Sequence, residues 1–242
     1  MNIIRHIPNT ITSMNLLCGI MGVICTFSGQ FDIAFCLMLA AAVCDFCDGM
    51  SARLLKAYSD VGKELDSLAD MVSFGLLPAL MLNQLMIGIH GETFWSYTPL
   101  IIAILSAVRL AKFNIDERQT ENFIGLATPA CAMICGSFAY YVSNDASSIL
   151  HSWAASKIFI PVCSSVLAGL LVSEVPMFSM KFKKDAAADI KMMRYGFLAV
   201  AAVSLAVTLI LGQHFAHAVL FIFITYILMN IVLALAKKLS RK

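Results

Sequence analysis

Four aspartates in two apolar stretches are the residues of this chain best equipped for chemistry: Asp45 and Asp48, three apart, and Asp66 and Asp70, four apart. Those spacings put each pair on one face of a helix. Gly62 lies a further turn along the second stripe. Gly49 and Ala52 fall near the first, where small residues let a backbone or a ligand come close. Ionisable groups inside membrane-crossing helices are costly and point to function. Four carboxylates facing one another repel in a low dielectric unless cations bridge them. Carboxylate oxygens suit hard divalent ions, and magnesium commonly binds through carboxylates together with substrate phosphates. The competing reading is a set of buried salt bridges to Arg53, Lys56 or Lys63. It leaves excess negative charge, because only Arg53 is borne on a helix.

The elements that must position these groups are transmembrane helices. Of 242 residues, 60% are hydrophobic and 13% charged, against about 45–50% and about 25% in soluble domains. A crossing helix needs about 20 apolar residues. Eight stretches qualify: 10–28, 32–54, 66–88, 98–114, 125–143, 156–174, 194–212 and 214–236. The expected fold is therefore all-α, a polytopic membrane helix bundle. The last two spans are separated by little more than Gln213 and should form a tight hairpin.

Orientation follows from Lys and Arg. Arg5, Arg53, Lys56, Lys63, Arg109, Lys112, Arg118 and the basic residues from Lys181 onward fall at one side, and Lys157 alone at the other. Both termini are expected in the cytoplasm, with the aspartates near the cytoplasmic face. Residues 1–8 read as a short surface segment. The segment 181–194 reads as a basic positive-inside loop, with attraction to anionic headgroups as the alternative. No secretory signal is expected, since the stretch after Pro8 is long enough to stay in the membrane. The eight cysteines all lie in apolar stretches and read as small buried hydrophobes, the Cys44–Cys47 pair being a weak metal signal alone. His6, His90, His151, His214 and His217 read as interfacial.

From Asp45 to Asp70 the chain reads Asp-x2-Asp-Gly-x2-Ala-Arg-x8-Gly-x3-Asp-x3-Asp. This resembles, at every fixed position, the signature of the CDP-alcohol phosphatidyltransferase family. The resemblance implies that Asp45, Asp48, Asp66 and Asp70 hold two divalent ions, Mg2+ or Mn2+, and that Asp70 is the general base. It further implies that Gly49, Ala52, Arg53, Ser59 and Gly62 line the CDP-lipid site. Asn9 and Thr12, in Pro8-Asn9-Thr10-Ile11-Thr12, resemble the segment that opens the first helix in this family and touches CDP; plain helix capping is the alternative for both. An alcohol would attack the phosphorus carrying the diacylglycerol, with CMP as leaving group, either by direct displacement or through a phosphatidyl-enzyme intermediate.

The acceptor rests on other residues. Asp70-Met71-Val72-Ser73-Phe74-Gly75-Leu76-Leu77-Pro78-Ala79, Arg109-Leu110-Ala111-Lys112-Phe113-Asn114 and Phe123-Ile124-Gly125-Leu126-Ala127-Thr128-Pro129-Ala130 resemble the phosphatidylserine synthase branch. Lys112 stands where the branch often has Arg, and Ala127 where it often has Pro. Serine carries a carboxylate that needs a cation or several donors. Arg109 is the candidate, with Ser73, Asn114 and Gly125 around it; snorkelling to headgroups is the alternative for Arg109. Inositol phosphate, glycerol phosphate or choline are the rival acceptors. A divalent-cation transporter is the rival class, and it predicts a polar path across the membrane that the clustering of acids at one end does not supply.

The resemblance covers about residues 8–180. It implies a catalytic core over 1–180 and an accessory basic loop and hairpin over 181–242. The implied partners are CDP-diacylglycerol, serine, the lipid bilayer of a prokaryotic plasma membrane and a second copy in a homodimer, with nucleic acid not expected among them.

Overall fold

Lipid offers a backbone no hydrogen-bond partners, so an apolar stretch entering it must satisfy its own amides as a helix. A computed structural model of the chain describes residues 6–115, 123–177, 188–212 and 214–239, without the side chains of 123, 188–194 and 234–239. Arg5, Arg118, Gln213 and the basic stretch 181–187 lie outside the described residues. Each of the eight apolar stretches contains a helix in its described part, although residues 125–127, 156–158 and 173–174 within the expected spans are not helical. The helices are α1 (Ile7–Phe27), α2 (Phe31–Leu54), α3 (Asp60–Asp70), α4 (Leu77–His90), α5 (Ile101–Ile115), α6 (Thr128–Asn144), α7 (Ile149–Ala154), α8 (Phe159–Val172), α9 (Ala188–Ile210) and α10 (Phe215–Leu239).

Five helical runs are long and apolar enough to cross a membrane: Ile7–Phe27, Phe31–Leu54, Asp60–His90, Phe94–Ile115 and Phe215–Leu233. Helix α8 and the apolar part of α9 are shorter, and α6 has 17 residues. Length and apolarity thus qualify five of the eight expected spans among the described residues.

The third helical run begins at Asp60, six residues before the expected start. Ser59 caps it, its side chain accepting from the Gly62 amide at 3.0 Å, and Asp60 sits at the positive end of the helix dipole. Its first turns are polar and so carry no apolar signal. Helix α9 likewise starts at Ala188, so the second half of the expected 181–194 loop is helical. Between α3 and α4 the run passes through a π-turn, Met71–Leu76. A 3-10 segment, Phe94–Leu100, leads into α5.

The α1–α2 connection turns at Gly29, with φ +73. Helix α2 ends in a left-handed residue, Lys56 at φ 50, and the Ala57 amide closes back on the Ala52 carbonyl at 3.0 Å. A two-residue antiparallel ladder, absent from the sequence expectation, joins β1 (Phe123–Ile124) to β2 (Pro176–Met177), with Phe123 opposite Met177.

The core runs along α4 and α6, whose residues are mostly buried, and takes Phe35 and Met38 from α2, Phe74 from the π-turn, Ile102 from α5 and Leu171 from α8. The outer faces expose apolar side chains such as Leu17, Ile24, Val43, Phe46, Val162 and Phe221. In lipid such faces gain nothing by pairing, so association rests on close packing and hydrogen bonds between helices. All eight cysteines are free, but only Cys131 and Cys135 are buried, because the others sit on or near those outward faces.

Candidate active site

A short connection joins α2 to α3, both helices pack on α1, and the two aspartate stripes meet there. Asp45, Asp48 and Asp66 each offer a carboxylate oxygen, and the three oxygens lie within 4.8 Å of one another. At that separation two unit charges repel by about 3–4 kcal/mol at an effective dielectric near 20. Asp48 is buried, the other three aspartates half-buried. Asp66 Oδ1 is buried without a hydrogen-bond partner. Clustered carboxylates with an unsatisfied buried oxygen fit a divalent cation, the hard partner that this donor set prefers.

Helix α1 supplies the polar wall. The Thr12 hydroxyl donates to Asp48 Oδ2 at 2.6 Å. The Asn15 amide donates from Nδ2 to Asp70 Oδ1 at 3.2 Å. Asn9 faces Gly62 so closely that a Cβ there would lie 2.8 Å from Asn9 Oδ1 and 3.0 Å from Ser59 Oγ. Asn9, Ser59, Gly62, Thr12 and Asp48 therefore come together where α1, α2 and α3 meet. A Cβ on Gly49 would meet nothing within 4 Å, so that face of α2 is open. Ala52 is half-buried and Arg53 exposed, in the last turn of α2.

The residues expected around serine each have contacts of their own. Ser73, in the π-turn, is fully buried and donates to the Asn15 carbonyl at 3.0 Å. Asn114 donates to Ser67 Oγ at 2.9 Å and its carbonyl accepts from Lys63 Nζ at 2.9 Å, clamping the end of α5 to α3. Gly125 takes φ +77 and packs on the end of α8; a Cβ there would stand 2.7 Å from the Leu171 carbonyl oxygen. Its amide donates to Val175 O. These contacts give Ser73, Asn114 and Gly125 structural duties.

Arg109 differs. It is buried, its Nη1 donates to Thr128 Oγ1 at 2.7 Å, and its Nε has no partner. It stands close enough to Asp70 for their charges to interact. Snorkelling to headgroups does not describe a guanidinium so enclosed. Helix α10 packs along α6 and brings Tyr226 into electrostatic range of Arg109, so the C-terminal hairpin touches the core at this point.

Two residues of this centre escape the sequence reading. Asn15 continues the stripe of Asn9 and Thr12 at the same three-residue spacing, a polar line on an apolar helix that the sequence does display. Thr128 opens α6 and becomes visible only through its contact with Arg109.

Residues 5–162 match the family model described as CDP-alcohol phosphatidyltransferase. The chain is 30% identical over 192 residues to the CDP-diacylglycerol–serine O-phosphatidyltransferase of Bacillus subtilis (strain 168), covering 79% of this chain and 99% of that protein. It is 29% identical over 227 residues to the protein of the same name from Methanocaldococcus jannaschii, covering 91% of each. A 35% match over 129 residues to the Helicobacter pylori protein of that name spans 52% of this chain and 54% of that one.

Proposed function

Because this chain belongs to the CDP-alcohol phosphatidyltransferase family, we propose that it transfers the phosphatidyl group of CDP-diacylglycerol to the hydroxyl of L-serine, giving phosphatidylserine and CMP. The observation that carries the reading is the convergence of Asp45, Asp48 and Asp66 within 4.8 Å, with Asp70 one turn beyond Asp66. The names of its relatives support serine as acceptor.

In this reading the four aspartates hold two divalent ions, Mg2+ or Mn2+, which when bound supply positive charge for the diphosphate and for the departing CMP. Asn9, Thr12, Gly49, Ala52, Arg53, Ser59 and Gly62 seat the CDP moiety. Gly49 leaves room on α2, and the close approach of Asn9 to Gly62 narrows the other wall. Asp70 takes the proton of the serine hydroxyl as its oxygen bonds to phosphorus and the bond to CMP breaks. Arg109 pairs with the serine carboxylate through its unused N–H. Seating both substrates at one end of the bundle supplies the orientation the reaction needs.

The reading includes eight crossings with both termini and the aspartates on the cytoplasmic side of a prokaryotic plasma membrane, supported by the Lys and Arg asymmetry. It includes a catalytic core over 1–180, an accessory region over 181–242 and, from the family resemblance, a homodimer.

The test offers the purified protein CDP-diacylglycerol and Mg2+ or Mn2+ with serine, glycerol 3-phosphate, inositol or choline. CMP release with serine is the expected result. Release with no acceptor in the set would overturn the reading, and release with glycerol 3-phosphate alone would overturn its acceptor.

A further inference from the structure

We infer that Asn15 is the positioning residue for Asp70, holding the carboxylate by one oxygen so that the other receives the substrate proton. The inference rests on the reading of Asp70 as base.

Asn15 is 0% exposed, on the face of α1 that looks at α3 and the π-turn. Its Nδ2 donates to Asp70 Oδ1 at 3.2 Å, while its Oδ1 is buried and has no partner. A buried amide that leaves its acceptor unsatisfied is unfavourable for folding alone. An apolar side chain of similar size would fill the position without that cost. The amide cannot reverse, because its oxygen would then face a carboxylate oxygen. The donor is therefore fixed on Asp70 Oδ1, and Asp70 Oδ2 is the oxygen left to accept the proton.

The Asn15 backbone is held as well. Ser73, three residues after Asp70, donates to the Asn15 carbonyl at 3.0 Å. Gly19, one turn further along α1, makes the approach possible, since a Cβ there would lie 2.4 Å from Ser73 Oγ and 3.0 Å from Ser73 Cα. Two contacts thus register α1 against the end of α3 and the π-turn, one through the reacting carboxylate and one through the turn that follows it. A π-turn in this place matches the frequent occurrence of such turns at functional sites.

Balance requires little of Asn15. The serine O–H bond breaks, its oxygen bonds to phosphorus, the bond to CMP breaks, and Asp70 Oδ2 gains the proton. Asn15 exchanges no proton. It restricts which oxygen is presented and where.

The test is Asn15→Leu, with Asn15→Ala beside it, measured for kcat, both KM values, Mn2+ binding by electron paramagnetic resonance, and thermal stability in detergent. Turnover should fall about 10- to 100-fold, the usual effect of losing a partner that orients a ligating group. Both KM values should stay within about twofold of wild type, since the donor touches neither substrate in this arrangement, and the loss of turnover should persist at saturating Mn2+ even where Asp70's share of ion binding weakens. The leucine variant should melt close to wild type, because losing the unsatisfied Asn15 Oδ1 offsets leaving Asp70 Oδ1 without its donor. Turnover within threefold of wild type would overturn the inference. So would a loss of turnover that saturating Mn2+ restores, or one accompanied by large falls in melting temperature in both variants. If the leucine variant does not fold, the alanine variant is judged on the same kinetic and Mn2+ criteria. Wild-type protein that releases no CMP with serine fails the functional reading itself, before either variant is compared.

Discussion

The carboxylate centre and the surroundings of the expected acceptor pocket lie near each other but are built on different terms. In the first, oxygens from α2 and α3 are pressed within 4.8 Å, steadied from α1 by Thr12 and Asn15, and still hold a buried atom without a partner, Asp66 Oδ1. In the second, Ser73, Asn114 and Gly125 have given their polar groups or their backbone freedom to packing. Arg109 alone resembles the carboxylates, with a buried, unpaired Nε. Ser106, one turn before it on the same face, also has an unpaired buried hydroxyl. Native proteins pair nearly all buried polar groups, so an unpaired one marks where a ligand belongs more sharply than residue type does. The structure offers no reason for the unpaired hydroxyl of Ser164 on α8.

The sharpest way to break this contrast is to remove the divalent ions. Chelation with EDTA should abolish CMP release and either Mg2+ or Mn2+ should restore it; full activity in EDTA would leave the four carboxylates without a role. Next in size, Asp70→Asn should lower kcat by about 10²- to 10⁴-fold, the range for losing a general base. The KM for CDP-diacylglycerol should change little, and normal turnover would assign the base elsewhere. Arg109→Met should raise the KM for serine about 10- to 100-fold, the worth of a charge-assisted hydrogen bond. An unchanged serine KM would place Arg109 with the scaffold.

On the scaffold side, Asn114→Ala should cost about 1 kcal/mol, read as a lower melting temperature, with the serine KM unmoved. A rise in that KM would transfer Asn114 to the binding side. Smallest of all, Ala127→Pro should stabilise the fold by about 0.4–1 kcal/mol, because Ala127 already holds φ −66 before α6. The same value shows that alanine holds this turn in a proline-compatible shape.

The aspartate centre was legible because its spacing is local. Residues three and four apart share a helix face wherever the helix lies, and a charge in an apolar stretch stands out. The start of α3 was not legible, since Ser59 and the polar first turns look like loop until the cap is seen. The π-turn was hidden because Met71–Leu76 is as apolar as any regular helix. The β1–β2 ladder joins segments more than fifty residues apart, and two residues a side carry no alternating pattern.

By itself the sequence showed apolar stretches fit to enter lipid and acids gathered on two of them; for Asn9 and Thr12 it offered only a family resemblance, with helix capping as the alternative. Periodicity and the cost of a buried charge act within a single helix, so both can be read in one dimension. Only the tertiary structure decided which polar groups are spent and which remain free. It assigned Ser73 to Asn15, Asn114 to Ser67 and Gly125 to the end of α8, and left Arg109 with a donor in hand. Hydrogen bonds between helices depend on how the helices pack, and no spacing along the chain records that.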